Sequence, residues 1–318
     1  MYFPYLRGRQ YELLALKELV ENSKIGEKVI PVIEPVKLSP TLISTMGTFA
    51  TANHKVAVIR NPSVGGFDFD YRNAKPGTKE ESYRDRFDAA FDHETVIKSI
   101  IINNGSNNLL NYWGDRGVKR EDLLVIANNR DFLWLYEKYF EGTSPQYALI
   151  PDESAFKRKV RHHKVRLDDK FEKQERNSDY QDSADEFFSE DHIYFEEDNF
   201  IGFSDYSIVG DEFSEKGFAP YAVAIHIVYF ADDMTLRVKH FVSDTNEDPN
   251  NPALKFYEAV SKLSDWYRKG GHNVPLTLGL KKFLEHYDNQ TYPGLGTVKK
   301  LSLMHHFELM SKYLDGDR

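Results

Sequence analysis

Eight short apolar runs of β type recur along the N-terminal part of the chain, each parted from the next by a stretch with helical patterning. They cover 2–6, 29–36, 55–59, 97–102, 123–127, 146–150, 164–167 and 200–203. Several, such as Leu123-Leu124-Val125-Ile126-Ala127, are apolar without a break. A strand buried on both faces has no side left for polar residues, so it reads this way. Between the runs, residues 9–22 put Leu13, Leu16, Leu19 and Val20 on one helical face. Ser39-Pro40 starts a second helix, with Pro where no N–H is needed. Helices are also expected at 79–93, 107–116, 131–141 and 152–162, with Asp131 suited to an N-cap.

Alternation of strands and helices means parallel strands joined by helical crossovers. Eight repeats predict closure into an α/β fold, an eight-stranded parallel β/α (TIM-like) barrel. An open doubly wound sheet is the structural alternative. The regularity ends after the seventh run. Residues 170–199 form a long acidic insertion, with Phe187, Phe188, Tyr194 and Phe195 to pack part of it down. Two further runs, 221–230 and 236–242, flank Ala231-Asp232-Asp233-Met234 and read as a β-hairpin, which offers a rival eighth strand. Residues 252–268 are an amphipathic helix, and the last 40 residues read as helical, with a turn at Pro293-Gly294. The expected organisation is a barrel over 1–270, carrying the insertion 170–199 and the hairpin 220–243, with a helical extension over 271–318 packed on it.

Charge narrows the function classes. The 318 residues sum to −9, and 171–198 alone hold eleven acids against two bases, an imbalance of the same size. The remainder is neutral in sum, so bulk attraction to nucleic acid is not favoured. The basic stretch 157–163 is the one candidate track, and a solvated helix face explains it better. There is no cysteine, which excludes disulfides and thiolate metal sites and suits a cytoplasmic home. The N-terminal stretch lacks a signal-peptide pattern, and no 18 apolar residues run together, so no membrane partner is expected.

The polar residues at the C-terminal end of each run are more informative. Arg7-Gly8-Arg9 succeed the first, Glu34 and Lys37 mark the second, and Arg60-Asn61 succeed the third. Asn103-Asn104, Asn128-Asn129-Arg130, Asp152-Glu153, Asp168-Asp169-Lys170 and Asp205-Tyr206 end the others. In a β/α barrel these positions converge on the face that binds and reacts. Any one of them is equally a residue that ends a strand or caps a helix. Glu34 stands out, because a carboxylate inside Val32-Ile33-Glu34-Pro35-Val36 must be paired or bound to a metal. An internal salt bridge with Arg7 or Arg60 would satisfy it. Glu34, Asp168 and Asp205 are the candidate catalytic acids and bases. Glu34, Asp152 and Asp168 are the candidate oxygen ligands of Mg²⁺ or Mn²⁺. Arg7, Arg9, Arg60, Asn104, Asn129 and Lys170 are the candidate substrate contacts, since arginine presents a two-pronged fork to phosphate. Histidines say less. His162-His163 and His305-His306 lack metal-ligand spacing and read as solvated pairs. His226, in an apolar strand, reads as a hydrogen-bonded core residue or a general base.

Two stretches carry a resemblance. Tyr2-Phe3-Pro4-Tyr5-Leu6-Arg7-Gly8-Arg9-Gln10-Tyr11-Glu12-Leu13-Leu14-Ala15-Leu16, succeeded by Val32-Ile33-Glu34-Pro35, resembles the opening of the bacterial and phage beta family proteins. Asp185-Glu186-Phe187-Phe188-Ser189 through Gly202-Phe203-Ser204-Asp205-Tyr206 is similar to the branch named by an sce locus tag. The resemblance implies a role in phage defence and supplies no catalytic residue or substrate. It adds weight to Arg7, Arg9, Glu12, Glu34 and Asp205, which lie inside the motifs. Two readings stay open. One is a metal-assisted enzyme, phosphodiesterase-like, acting on a phosphorylated or nucleotide substrate. The other is a non-catalytic module that recognises a ligand, or a protein through the acidic 171–198 segment, and works with a partner encoded nearby. Carboxylates converging within metal-ligand reach favour the first. Carboxylates each paired with Arg or Lys favour the second.

Overall fold

A computed structural model describes residues 1–214, 220–270 and 274–316. The barrel begins with β1 (Tyr5–Leu6), α1 (Gln10–Glu21), β2 (Val32–Ile33), α2 (Pro40–Thr51) and β3 (Val56–Ile59). It continues through α3 (Phe67–Arg72), α4 (Lys79–Phe91), β4 (Val96–Ile101), α5 (Ser106–Gly114) and β5 (Leu124–Ile126). Next come α6 (Leu133–Tyr139), β6 (Tyr147–Ile150), α7 (Ser154–Lys159) and β7 (Lys164–Asp168). The chain then forms β8 (Asp185–Ser189), α8 (Asp191–Tyr194), β9 (Gly202–Asp205), β10 (Ala224–Phe230) and β11 (Leu236–Val242). Three helices end it: α9 (Pro252–Arg268), α10 (Leu278–Asp288) and α11 (Leu295–Asp315).

Eight strands pair in the order β1-β2-β3-β4-β5-β6-β7-β9, all parallel. The edges meet through a bridge between Tyr2 and Phe203, with Phe3 N donating to Phe203 O at 2.9 Å. The result is the nearly closed TIM-like barrel that the repeats predict. Val56, Ala57, Val58 and Ile59 are all fully buried, and each such Val or Ile contributes about 1.5–3 kcal/mol. At the start of α2, Ser39 Oγ accepts from Leu42 N at 3.2 Å and Pro40 takes the first turn.

The eighth barrel strand is β9, not the rival run at 221–230. That run pairs antiparallel with β11, and β8 joins β11 from the other side. The physical reason is local. Two runs joined by a short turn close antiparallel, whereas a parallel partner needs a long crossover. Another difference lies after β5, where Asn129, not Asp131, is the cap: its Oδ1 accepts from Asp131 N at 2.9 Å.

The chain divides into two compact units. One comprises Met1–Leu13, Glu27–Asp169 and Tyr194–Asp205 and holds the barrel strands. The other comprises Leu14–Gly26, Lys170–Ile193 and Tyr206–Arg318 and holds the three-stranded sheet with α9, α10 and α11. In the second unit the acidic insertion is folded: Asp185 of β8 takes Arg237 Nε at 2.7 Å and Lys239 Nζ at 3.0 Å. His305 and His306 of α11 are fully buried, the opposite of the solvated pair expected from their sequence. Thr277 Oγ1 lies 2.7 Å from His305 Nδ1, and His305 Nε2 lies 2.8 Å from Val228 O. Ser207 Oγ lies 2.8 Å from His306 Nδ1. Buried neutral rings with such partners cost little, which a sequence pattern does not reveal. Among the described residues no helix is long and apolar enough to cross a membrane.

Candidate functional site

Glu34 leaves the end of β2 and is fully buried. Its Oε2 accepts from the Tyr5 hydroxyl at 2.7 Å and from Arg7 Nη1. Its Oε1 accepts from both the backbone N and Oγ of Ser63, each at 2.6 Å. Four donors answer the lone pairs of one carboxylate, so it is a saturated acceptor. These donors come from the end of β1 (Tyr5 and Arg7) and from the loop after β3 (Ser63). Gly8 makes this possible: at φ +63° it turns the chain directly after Arg7, and a Cβ there would stand 3.1 Å from Glu34 O.

The other rim acids are also engaged. Asp152 pairs with Lys157 at 2.5 Å and with Arg166 at 3.4 Å. Arg166 also reaches Asp198 at 3.3 Å. Asp168 and Asp205 are register partners at the ends of β7 and β9. Asp205 is buried and accepts from the Tyr2 hydroxyl at 2.8 Å, and burial, then Asp205 itself, pushes that phenol well above its ordinary value. Among the described residues no three His, Cys, Asp or Glu side chains stand close enough to hold a metal ion. Glu34, Asp152 and Asp168 therefore do not gather as a ligand set, because Glu34 and Asp152 are held by their own cations and donors.

The expected anion contacts scatter. Arg7 is spent on Glu34. Arg9 immediately precedes α1, and its backbone N donates to Glu12 Oε2 at 3.2 Å. Asn104 is exposed in a turn, and Asn129 is the cap already described. Lys170 belongs to the second unit and pairs with Asp191 at 3.1 Å. Arg60 is different. Its guanidinium lies 3.8 Å above the Tyr71 ring, with Nη1 3.5 Å from Asp68.

Arg60 opens onto a barrel-unit cavity of about 990 Å³, lined also by Arg72, Lys98 and Arg116. Arg116 lies 3.6 Å over the ring of Tyr112, which is 51% exposed and forms an open aromatic shelf. Lys98 Nζ reaches Phe91 O at 3.1 Å and Asp92 at 3.0 Å. Opposite Arg60, the Tyr71 hydroxyl donates to Asp88 at 2.8 Å. Burial raises the Asp88 carboxyl despite that bond and Arg60. Stacking on a phenol face uses the guanidinium plane and leaves its N–H edge for a planar acceptor.

Sequence reasoning missed Lys98, Tyr71, Tyr112 and Arg116. Lys98 carried a signal, a lone cation inside Val96-Ile97-Lys98-Ser99-Ile100-Ile101. Tyr112 and Arg116 carried a weaker one, four residues apart across a helix end. Comparison of the chain with protein-family models, with curated proteins and with solved structures finds no match in any of the three.

Proposed function

We propose that this protein is a recognition barrel that binds a phosphate-bearing, nucleotide-like ligand without hydrolysing it. The observation that carries this reading is the 990 Å³ cavity, where Arg60 and Arg116 each stack on a tyrosine, with Lys98 and Arg72, paired with Asp92 and Asp68, also in the lining. Guanidinium edges suit phosphate oxygens, and the exposed Tyr112 ring suits a flat base. The pairing of the rim carboxylates supports binding over metal-assisted hydrolysis. A general base needs a free lone pair, and Glu34 spends its own on Tyr5, Arg7 and Ser63. The resemblance of residues 2–16 and 32–35 to beta family proteins supports placing such a sensor in phage defence.

Isothermal titration with adenosine diphosphate, and with inorganic phosphate alone, tests the reading. The diphosphate should bind more tightly than phosphate, with or without Mg²⁺. Arg60→Met and Arg116→Met should each weaken it about tenfold. Absence of binding to the wild type would end the reading. Turnover of the diphosphate with Mg²⁺ would restore the enzyme.

A further inference from the structure

A second cavity, of about 320 Å³, lies wholly in the unit that holds the three-stranded sheet. Its lining includes His226 of β10, Tyr180, Phe171 and Lys299. His226 does not stand alone. It is the direct cross-strand partner of His240 on β11, and their Nδ1 atoms lie 2.6 Å apart. His240 Nε2 in turn lies 3.2 Å from Glu186 Oε1 on β8. Three strands thus carry one chain of polar groups, Glu186 to His240 to His226.

Proton bookkeeping along that chain has one solution for neutral rings. The Glu186 carboxylate only accepts, so His240 must carry its hydrogen on Nε2. That leaves His240 Nδ1 as an acceptor. His226 must then donate from Nδ1, which leaves the lone pair on its Nε2. Among the described residues His226 makes no other hydrogen bond, so this lone pair is uncommitted. Burial, His240 and Lys299 hold His226 well below the ordinary histidine value, which keeps it neutral.

Two polar groups of the cavity complement that acceptor, in a lining that also holds the opposite charges of Lys173 and Glu175. The Tyr180 hydroxyl accepts from Gln174 N at 3.1 Å, so its own hydrogen remains to be donated. Lys299 supplies positive charge. The Tyr180 and Phe171 rings lie 4.7 and 5.2 Å from the His226 ring, giving flat apolar walls. The volume is at the small end of the range for small-molecule sites.

We propose that this cavity is a binding site for a small aromatic hydroxy-acid anion, which donates its hydroxyl to His226 Nε2 and turns its charge toward Lys299. The site is independent of the nucleotide cavity in the barrel unit. Glu186 and His240 act as positioning residues that set the tautomer of His226. A purely structural histidine pair would show the same hydrogen bonds and bind nothing.

The test is nitrogen-15 NMR of the histidine rings during titration with 4-hydroxybenzoate, with benzoate as the analogue lacking the hydroxyl. At neutral pH the His226 Nε2 should give the signal of an unprotonated nitrogen, and 4-hydroxybenzoate should shift it. The wild type should prefer 4-hydroxybenzoate over benzoate by about tenfold, and His226→Gln should abolish that preference. Lys299→Met should weaken both ligands about equally. A protonated Nε2, no shift with 4-hydroxybenzoate, or equal binding of both ligands would each overturn the proposal. Should His226→Gln fail to fold, the comparison of the two ligands on the wild type and Lys299→Met still decides.

Discussion

Glu34 and Arg7 bind each other where neither can fall back on water, since their side chains are 0% and 12% exposed. Breaking such a pair leaves a buried charge, which typically costs about 3–5 kcal/mol. Glu34→Gln keeps one acceptor oxygen, enough for Ser63, and sets an amide N–H against the donors on the Oε2 side, Tyr5 and Arg7, so its cost should fall toward the upper end of that range. Asp152→Asn should lose less, roughly 1 kcal/mol, because its pairs with Lys157 and Arg166 are partly solvated. Urea denaturation of the two variants makes the comparison. Equal midpoints would mean that Glu34 is not a structural clamp. At this scale the sequence is partly legible. An acid inside an apolar run has to be answered, and Arg7 is a candidate on sequence grounds alone. Ser63 is not, since a serine in a loop carries no trace of the carboxylate that folding brings to it.

Strands and helices are legible where burial alone decides them. Most of the parallel strands are covered on both faces, so their composition states their role; Lys98 of β4 and the charges of β7, Lys164, Arg166 and Asp168, depart from that pattern. Elements decided by partners from elsewhere are harder. β8 lies inside the acidic insertion, and it is a strand because β11 presents Arg237 and Lys239 to Asp185. Burial alone would raise the Asp185 carboxyl, but bonds from Arg237, Tyr229 and Lys239 outweigh it and hold the group below the ordinary value. A depressed carboxylate stabilises the fold above its unfolded pKa, about 3.9, and loses that contribution as pH falls through the folded value. Asp185→Asn should therefore cost roughly 2 kcal/mol at neutral pH and little in strong acid. Faster hydrogen exchange in β8 would register it, and an unchanged rate would show that β8 is held by its backbone ladder alone. The loop after β3 poses a backbone test. Gly65 sits at φ +76°, and a Cβ there would stand 2.4 Å from Val36 O. Backbone cannot yield as a side chain can, so Gly65→Ala should cost at least about 2 kcal/mol. Gly66→Ala, whose Cβ meets nothing within 4 Å, is the control and should be near neutral.

Across the whole chain, the response to acid should come from histidines before carboxylates. Burial pulls His305 down to about 4, against the opposing bond to Val228. Burial, then His305 and His192, pulls His306 down to about 3. In the unfolded chain both rings titrate near 6.5. Between that value and the folded ones the unfolded state binds more protons. Stability is therefore full above about pH 6.5 and falls as pH falls below it. Each ring contributes about 1.4 kcal/mol per pH unit, so the pair gives roughly 3. Glu308 works the other way: burial raises its carboxyl, so its contribution is lost as pH rises through its folded value, and it partly offsets the histidines. Urea midpoints between pH 7 and 5 should thus decline steadily, before any carboxylate of ordinary pKa is protonated. His306→Gln should be less stable at pH 7 and should shed about one proton of slope. A flat midpoint over this window would mean that the rings take up protons in the folded state, and that the second unit opens to water around α11.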